Sequence, residues 1–182
     1  MAVVLEEKKK YTYEDYCKLP EDTRYELIEG ELVMSPAPKT KHQRIAGRLF
    51  MSLSEFVRKS KAGEVFISPC DVLDDENVVQ PDILFISQER SGIIGEDNVK
   101  GAPDFVIEIV SDSTGFRDFV EKKILYGKYG VKEYWIVVPE DEAVEVFVRD
   151  EGKFVLRGRF EKGQKIEAAV LQGLIIKLSE IF

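Results

Sequence analysis

The chain carries a single histidine, His42, and only two cysteines, Cys17 and Cys70, among its 182 residues. The cysteines lie far apart and lack metal-ligand spacing, so a zinc site built on Cys and His is not expected. Buried or partly exposed free thiols are the expectation, rather than a disulfide. No apolar run approaches the ~18 residues that a membrane span needs. The N-terminal stretch Met1–Lys10 places its charges after a short apolar stub, the reverse of a secretory signal. We therefore expect a cytoplasmic protein with no membrane partner. Positive charge is also scarce: 26 Lys and Arg against 34 Asp and Glu give a net charge of -8, with a pI near 4.9. A protein that grips duplex DNA through its phosphates usually carries a basic footprint, and this chain has none overall. A local basic cleft, or an acidic site neutralised by cations, is still compatible with that total.

What is present is the material of a globular domain. Hydrophobic residues make up 44% and charged residues 33%, a balance that supports a substantial core. The length suits one domain over residues 1–182, and no repeat, low-complexity segment or linker divides it. Thr12, with Glu14 and Asp15 behind it, predicts a capped short helix ending near Leu19, before Pro20. Arg24–Met34 predicts two short strands around Glu29-Gly30, stopped by Pro36 and Pro38. Thr40 is expected to cap a helix reaching about Lys59. Its apolar residues Ile45, Ala46, Leu49, Leu53, Phe56 and Val57 recur at the helical period, and His42 falls on their face. Lys41, Arg44, Arg48, Arg58 and Lys59 read as a solvated face rather than a phosphate-binding one.

Glu64–Asp71 and Val78–Ser87 read as strands. The acidic turn between them, Asp74-Asp75-Glu76-Asn77, lacks the spacing of a calcium loop. Gln88–Gly101 reads as a loop at the border of a cleft. The near-continuous apolar run Asp104–Val110 predicts a central strand. A helix follows over Arg117–Tyr129 with Gly130 as its stop, then a strand over Glu133–Val138, which makes a β-helix-β unit. Glu142–Arg149 and Lys153–Phe160 alternate around Glu151-Gly152 and predict a hairpin. Ile166 and Leu174–Leu178 add short closing strands. The fold class is α+β with a mixed β-sheet flanked by helices and further hairpin strands at the C-terminal end.

Within this frame two strands each spend a buried-type position on an acid. Alternation puts Gln80, Asp82 and Leu84 on one face of their strand and Val106, Glu108 and Val110 on one face of theirs. If the strands are neighbours, the two carboxylates converge on a divalent cation. A hard ion such as Mg²⁺ is commonly held by one or two carboxylates with waters and a substrate phosphate, where it serves phosphodiester cleavage. On the following helix Lys122 lies towards the face of Phe119, Leu125 and Tyr126, and Lys123 one step round from it. Lys122 is thus the better candidate to meet a phosphate or orient a water. A bland alternative stands beside this. Glu108 can form a structural ion pair with Lys122 or Arg117, and His42 can be a hydrogen-bonded core residue. Tyr134 and Trp135 are expected in the core.

Several stretches carry a likeness: Tyr25-Glu26-Leu27-Ile28-Glu29-Gly30-Glu31-Leu32, Pro36 to His42, Gln80-Pro81-Asp82, Pro103 to Ser111, Asp118 to Tyr126, and Gly130 to Trp135. In these the chain resembles the Uma-type family of bacterial proteins named for restriction endonucleases, within the PD-(D/E)XK, restriction-endonuclease-like superfamily. The resemblance covers about Thr12 to Pro139. It implies that Asp82 supplies the PD acid and Glu108 the second acid. The superfamily's lysine usually stands two residues after that second acid, where this chain has Val110. The family pattern implies that Lys122 takes its place from the helix. Glu26 and His42 match family positions bordering the pocket, and Gln80 is a support for the PD turn. The resemblance further implies Mg²⁺ or Mn²⁺ as cofactor and a homodimer; the acid-acid-lysine arrangement taken with it makes DNA the expected partner. We therefore expect a metal-dependent DNA endonuclease. The alternatives are a catalytically silent nuclease-fold binding module and a hydrolase of a non-DNA phosphate ester.

Overall fold

A computed structural model of the chain describes residues 10–20, 24–35, 37–74, 76–111 and 115–182, with backbone alone at 73 and 115–119. The expectations that rest on Met1–Lys9, Pro36, Asp75 and the side chains of Arg117, Asp118 and Phe119 lie outside the described residues.

The elements run in the order α1 (Tyr13–Tyr16), β1 (Tyr25–Ile28), β2 (Glu31–Met34), α2 (Thr40–Ser60), β3 (Gly63–Ile67), β4 (Val72–Leu73), β5 (Val78–Val79), β6 (Ile83–Ser87), β7 (Val99–Lys100), β8 (Phe105–Ile109), α3 (Gly115–Tyr129), β9 (Glu133–Val138), β10 (Ala143–Asp150), β11 (Lys153–Glu161), β12 (Lys165–Glu167) and β13 (Ile175–Lys177). A 3₁₀ helix covers Gln88–Ile93, where a loop was expected. Helix α1 has the expected Thr12 cap, with Asp15 returning a bond to it, but it ends at Tyr16 rather than near Leu19. Helix α2 starts differently from the expectation. Its N-cap is Lys39, whose side chain makes no capping bond, and Thr40 is already helical.

The main sheet has the order β11-β10-β9-β8-β6-β3. Its β8-α3-β9 unit is parallel, while β6 runs antiparallel to β8. A mixed sheet results, as expected. The smaller sheet has the order β2-β1-β5-β4-β7, and β12 pairs with β13. The run Val78–Ser87 is therefore not one strand: β5 belongs to the small sheet and β6 to the main one. Gln80-Pro81-Asp82 makes the crossing. Proline has no N–H to give to a ladder and holds its predecessor extended, which frees the chain to leave one sheet and enter the other. The Glu64–Asp71 strand stops early as well, at Ile67, two residues before Pro69.

Alternation divides the main sheet into two packed faces. Ile83, Phe85, Phe105, Ile107, Trp135 and Val137 pack with Ile45, Leu49, Leu53 and Val57 of α2 and with the C-terminal segment. Leu84, Ile86, Val106, Tyr134 and Ile136 pack with Leu125 and Tyr126 of α3 and with Val72 and Val79 of the small sheet. Leu49 and Leu53 are fully buried, each contributing ~1.5–3 kcal/mol by leaving water. Glu108 falls in the parity of the second face, between Val106 and the end of the strand. That position aims it between the main sheet, α3 and the small sheet.

Candidate active site

The register of β6 and β8 pairs Ile83 with Ile107 and Leu84 with Val106. Continued one step, it sets Asp82 opposite Glu108 where the two strands end. Asp82 is fixed there by the neighbouring strand and by α2. The backbone N–H of Ile109 donates to its Oδ2 at 2.8 Å, and Nε2 of His42, one turn into α2, lies 3.0 Å from the same oxygen. Helical phase accounts for the histidine: residue 42 precedes Ile45 and Ala46 by a turn and shares their inward face.

Glu108 is held through one oxygen too. Lys122 Nζ lies 3.1 Å from Oε1, and the Tyr126 hydroxyl donates to Oε1 at 2.7 Å. Lys122 and Tyr126 stand one turn apart on α3, so one helix face supplies both donors. Lys122 has a second acid partner, Glu26 Oε1 at 2.9 Å, contributed by β1 of the small sheet. Glu26 also accepts from the backbone N–H of Gln80 at 2.7 Å. The turn that delivers Asp82 is thereby tied to the same cluster. Lys123, the other helical lysine, instead lies over the Phe147 ring at 3.6 Å.

These residues border one cleft of about 350 Å³, together with Arg24, Lys39, Ser68 and Tyr134. All six residues singled out from the sequence reach it: Glu26, His42, Gln80, Asp82, Glu108 and Lys122. The side chain of Gln80 is the outlier. Its amide turns to Asp71 Oδ1 at 2.7 Å, and the Tyr16 hydroxyl meets that same carboxylate at 3.1 Å. Asp71 and Tyr16 give no signal in the sequence, because contacts across a span of 55 residues leave no local spacing to find. Tyr126 was legible only as a marker of the helix face. The basic residues of α2 behave mostly as a solvated face. Lys41 pairs with Glu140, Lys59 with Glu55, and Arg48 donates to the carbonyl of Ile181.

Electrostatics set the cluster apart. Two carboxylates, Glu26 and Glu108, meet one ammonium, and a third, Asp82, acts on Glu108. Burial pushes the Glu108 carboxyl up to about 7; Lys122 opposes this, and the charges of Asp82 and Glu26 add to it. Burial works against the Lys122 ammonium, yet Glu108 and Glu26 outweigh it and hold the proton well above the usual lysine range. Burial likewise opposes charge on His42, but the bond to Asp82 and the charges of Asp82 and Glu108 lift it above its ordinary value.

The cluster is thus short of positive charge. Among the described residues no three acid, histidine or cysteine side chains form a ready cage for a metal. What the cleft offers is a pair of carboxylates, each with one oxygen bonded by the described residues. Hard oxygen donors, few in number and in need of positive charge, fit a cation such as Mg²⁺ or Mn²⁺, which keeps several waters. Asp82 and Glu108 are the residues that would hold it.

A family model named Uma2, described as "Putative restriction endonuclease", matches residues 12–179. No curated protein matches the chain. Among solved structures, that of "a putative nuclease belonging to DUF820" from Anabaena variabilis ATCC 29413 is similar. It superposes with a TM-score of 0.80 at 21% identity, covering 94% of this chain and 97% of that one. At that identity the likeness speaks for the fold.

Proposed function

The chain belongs to the Uma2 family, and from that premise we propose that it is a metal-dependent nuclease hydrolysing DNA phosphodiester bonds. The family's description and the nuclease named for the similar structure support nuclease chemistry. The observation that carries the finer reading is the facing of Asp82 and Glu108 across β6 and β8, with Lys122 Nζ 3.1 Å from Glu108, inside one cleft.

Asp82 and Glu108 would hold Mg²⁺ or Mn²⁺. Such an ion, when bound, polarises the phosphate and makes its water more acidic. The protein's own groups do the positioning. His42 and the Ile109 N–H keep the Asp82 carboxylate turned into the cleft. Glu26 and Glu108 keep Lys122 charged and aimed, so that its ammonium can meet a phosphate oxygen or orient the attacking water. Gln80, clasped by Asp71 and Glu26, steadies the turn that carries Asp82. The protein acts as a single domain over residues 1–182, as a homodimer, in the cytoplasm.

The test is a titration of Mn²⁺ and Mg²⁺ into wild type and Asp82→Ala, alongside cleavage assays on several forms of DNA. Wild type should bind the ion and cut, and Asp82→Ala should do neither. Wild-type protein that neither binds metal nor cuts sinks the reading.

A second reading is favoured by the net charge of -8 and by a cleft whose ~350 Å³ lies within the ~300–1,000 Å³ range of small-ligand sites. The same groups would then hydrolyse a smaller phosphate ester. A salt series separates the two, since affinity for duplex DNA that scarcely responds to salt argues against phosphate-backbone recognition.

A further inference from the structure

Tyr134 lines the cleft and is fully buried, yet its hydroxyl makes no hydrogen bond among the described residues. The rest of the side chain is well accommodated. Its ring meets Tyr126 edge-on at 5.3 Å and lies tilted against Phe154 at 5.5 Å. Packing therefore explains the ring and not the oxygen, because phenylalanine would fill the same space. A buried hydroxyl without a partner carries the full cost of its lost hydration. Its place in the sheet shows where a partner would lie. Tyr134 sits opposite Val106 and Ile136 opposite Glu108, so Tyr134 and Glu108 share a face of neighbouring strands, one diagonal step apart. The carboxylates of Glu108, Asp82 and Glu26 all act on the phenol electrostatically. Acceptors are thus nearby but not in direct contact.

We propose that Tyr134 is a positioning residue: its hydroxyl donates to a water at the floor of the cleft, which bridges to the carboxylates around Lys122 and fixes that lysine's aim. A site rich in acceptors can hold such a water, which needs two to four polar partners. The inference rests on the reading of the cleft as a phosphodiester-cleaving site, but its first test does not need activity.

A high-resolution crystal structure of the wild type should show an ordered water about 2.7–2.8 Å from the Tyr134 oxygen, also touching Glu26 or Glu108. In Tyr134→Phe that water should be gone or displaced. A direct bond from the hydroxyl to a protein acceptor, or only carbon around it, overturns the proposal even if wild type proves inactive. Tyr134→Phe should melt no lower than wild type, since the lost group has no protein partner among the described residues. If wild type cuts, the variant should lose about tenfold in kcat with KM nearly unchanged, the size of one hydrogen bond made in the transition state. Unchanged kcat, or a clear drop in melting temperature, also overturns it.

Discussion

The two ends of strand β8 each carry an acid withdrawn from solvent, Asp104 fully and Glu108 partly, and they behave in opposite ways. Asp104, just ahead of the strand, is 0% exposed. Its oxygens are fully engaged: Lys132 at 2.6 Å and Arg90 at 3.3 Å on one, the Ser87 N–H at 2.8 Å on the other. Burial alone would raise its carboxyl, but these donors together hold it below the ordinary range. Glu108, near the far end, has donors on one oxygen only among the described residues and two further carboxylates beside it, and it is pushed up to about 7. Desolvation works to raise both carboxyls, so it cannot by itself mark a functional acid. The balance of donors against competing acids does. Glu133, at the start of β9, lies between the two: like Asp104 it has donors on both oxygens, Trp135 and the Val170 N–H, yet burial still raises its carboxyl.

The largest effect that should separate the ends is on cleavage. Glu108→Ala should lower it by roughly a thousandfold while leaving the fold intact, as circular dichroism and melting would show. Asp104→Ala should cut as well as wild type per folded molecule. A large activity loss in the Asp104 variant would break the contrast. Stability should show the reverse. Asp104→Ala strands the Ser87 N–H and Arg90, and should cost about 2 kcal/mol in a denaturant titration. Lys132 is half exposed and can turn to water, which keeps the loss below that of a sealed ion pair.

A smaller effect concerns pH. In the fold Glu108 keeps its proton up to about 7, against 4.5 for an ordinary glutamate. Below the lower value both states are protonated and nothing is lost. As pH rises from there towards 7 the unfolded chain ionises first, so the contribution of Glu108 to stability declines across that window. A cation competes with the same proton, so Mn²⁺ affinity should rise through about pH 7 in wild type. Glu108→Gln should abolish the Glu108 part of both trends, and isothermal titration at several pH values checks it. A flat affinity profile in wild type would remove the distinction between the two acids. Weaker again, His42→Gln should lower Mn²⁺ affinity by about 10- to 100-fold, as expected for a group that orients a ligand from outside. The smallest effect belongs to Lys59→Ala, whose exposed pair with Glu55 should leave the melting temperature unchanged within experimental error.

How much of this could be read in advance follows from the range of the interactions. The phase of α3 favoured Lys122 over Lys123, and the structure buries Lys122 to 9% exposure while Lys123 lies over Phe147. The phase of α2 likewise turned His42 inward. Strand parity put Glu108 on the face of Val106, where the structure has it. It served Asp82 less well, because the chain changes sheets at Pro81 and an alternation counted from Gln80 has no single strand beneath it. Asp104 and Glu133 gave no warning of their burial. Their satisfaction depends on Lys132, Arg90, Ser87, Trp135 and Val170, groups that the fold assembles around them.

Local geometry was written into the order of residues: which of them alternate, which share a helix face, where proline interrupts a ladder. These follow from backbone periodicity and sterics, which act within a few residues. It took the folded arrangement to make Glu26 of the small sheet share Lys122 with Glu108. The same arrangement brought Asp82 to face Glu108 and carried Tyr134 to the wall of the same cleft. Those outcomes depend on strand pairing and layer packing between distant segments. The protonation of Glu108 depends on them in turn, because a carboxyl's pKa is set by the charges and the dielectric that the finished fold places around it.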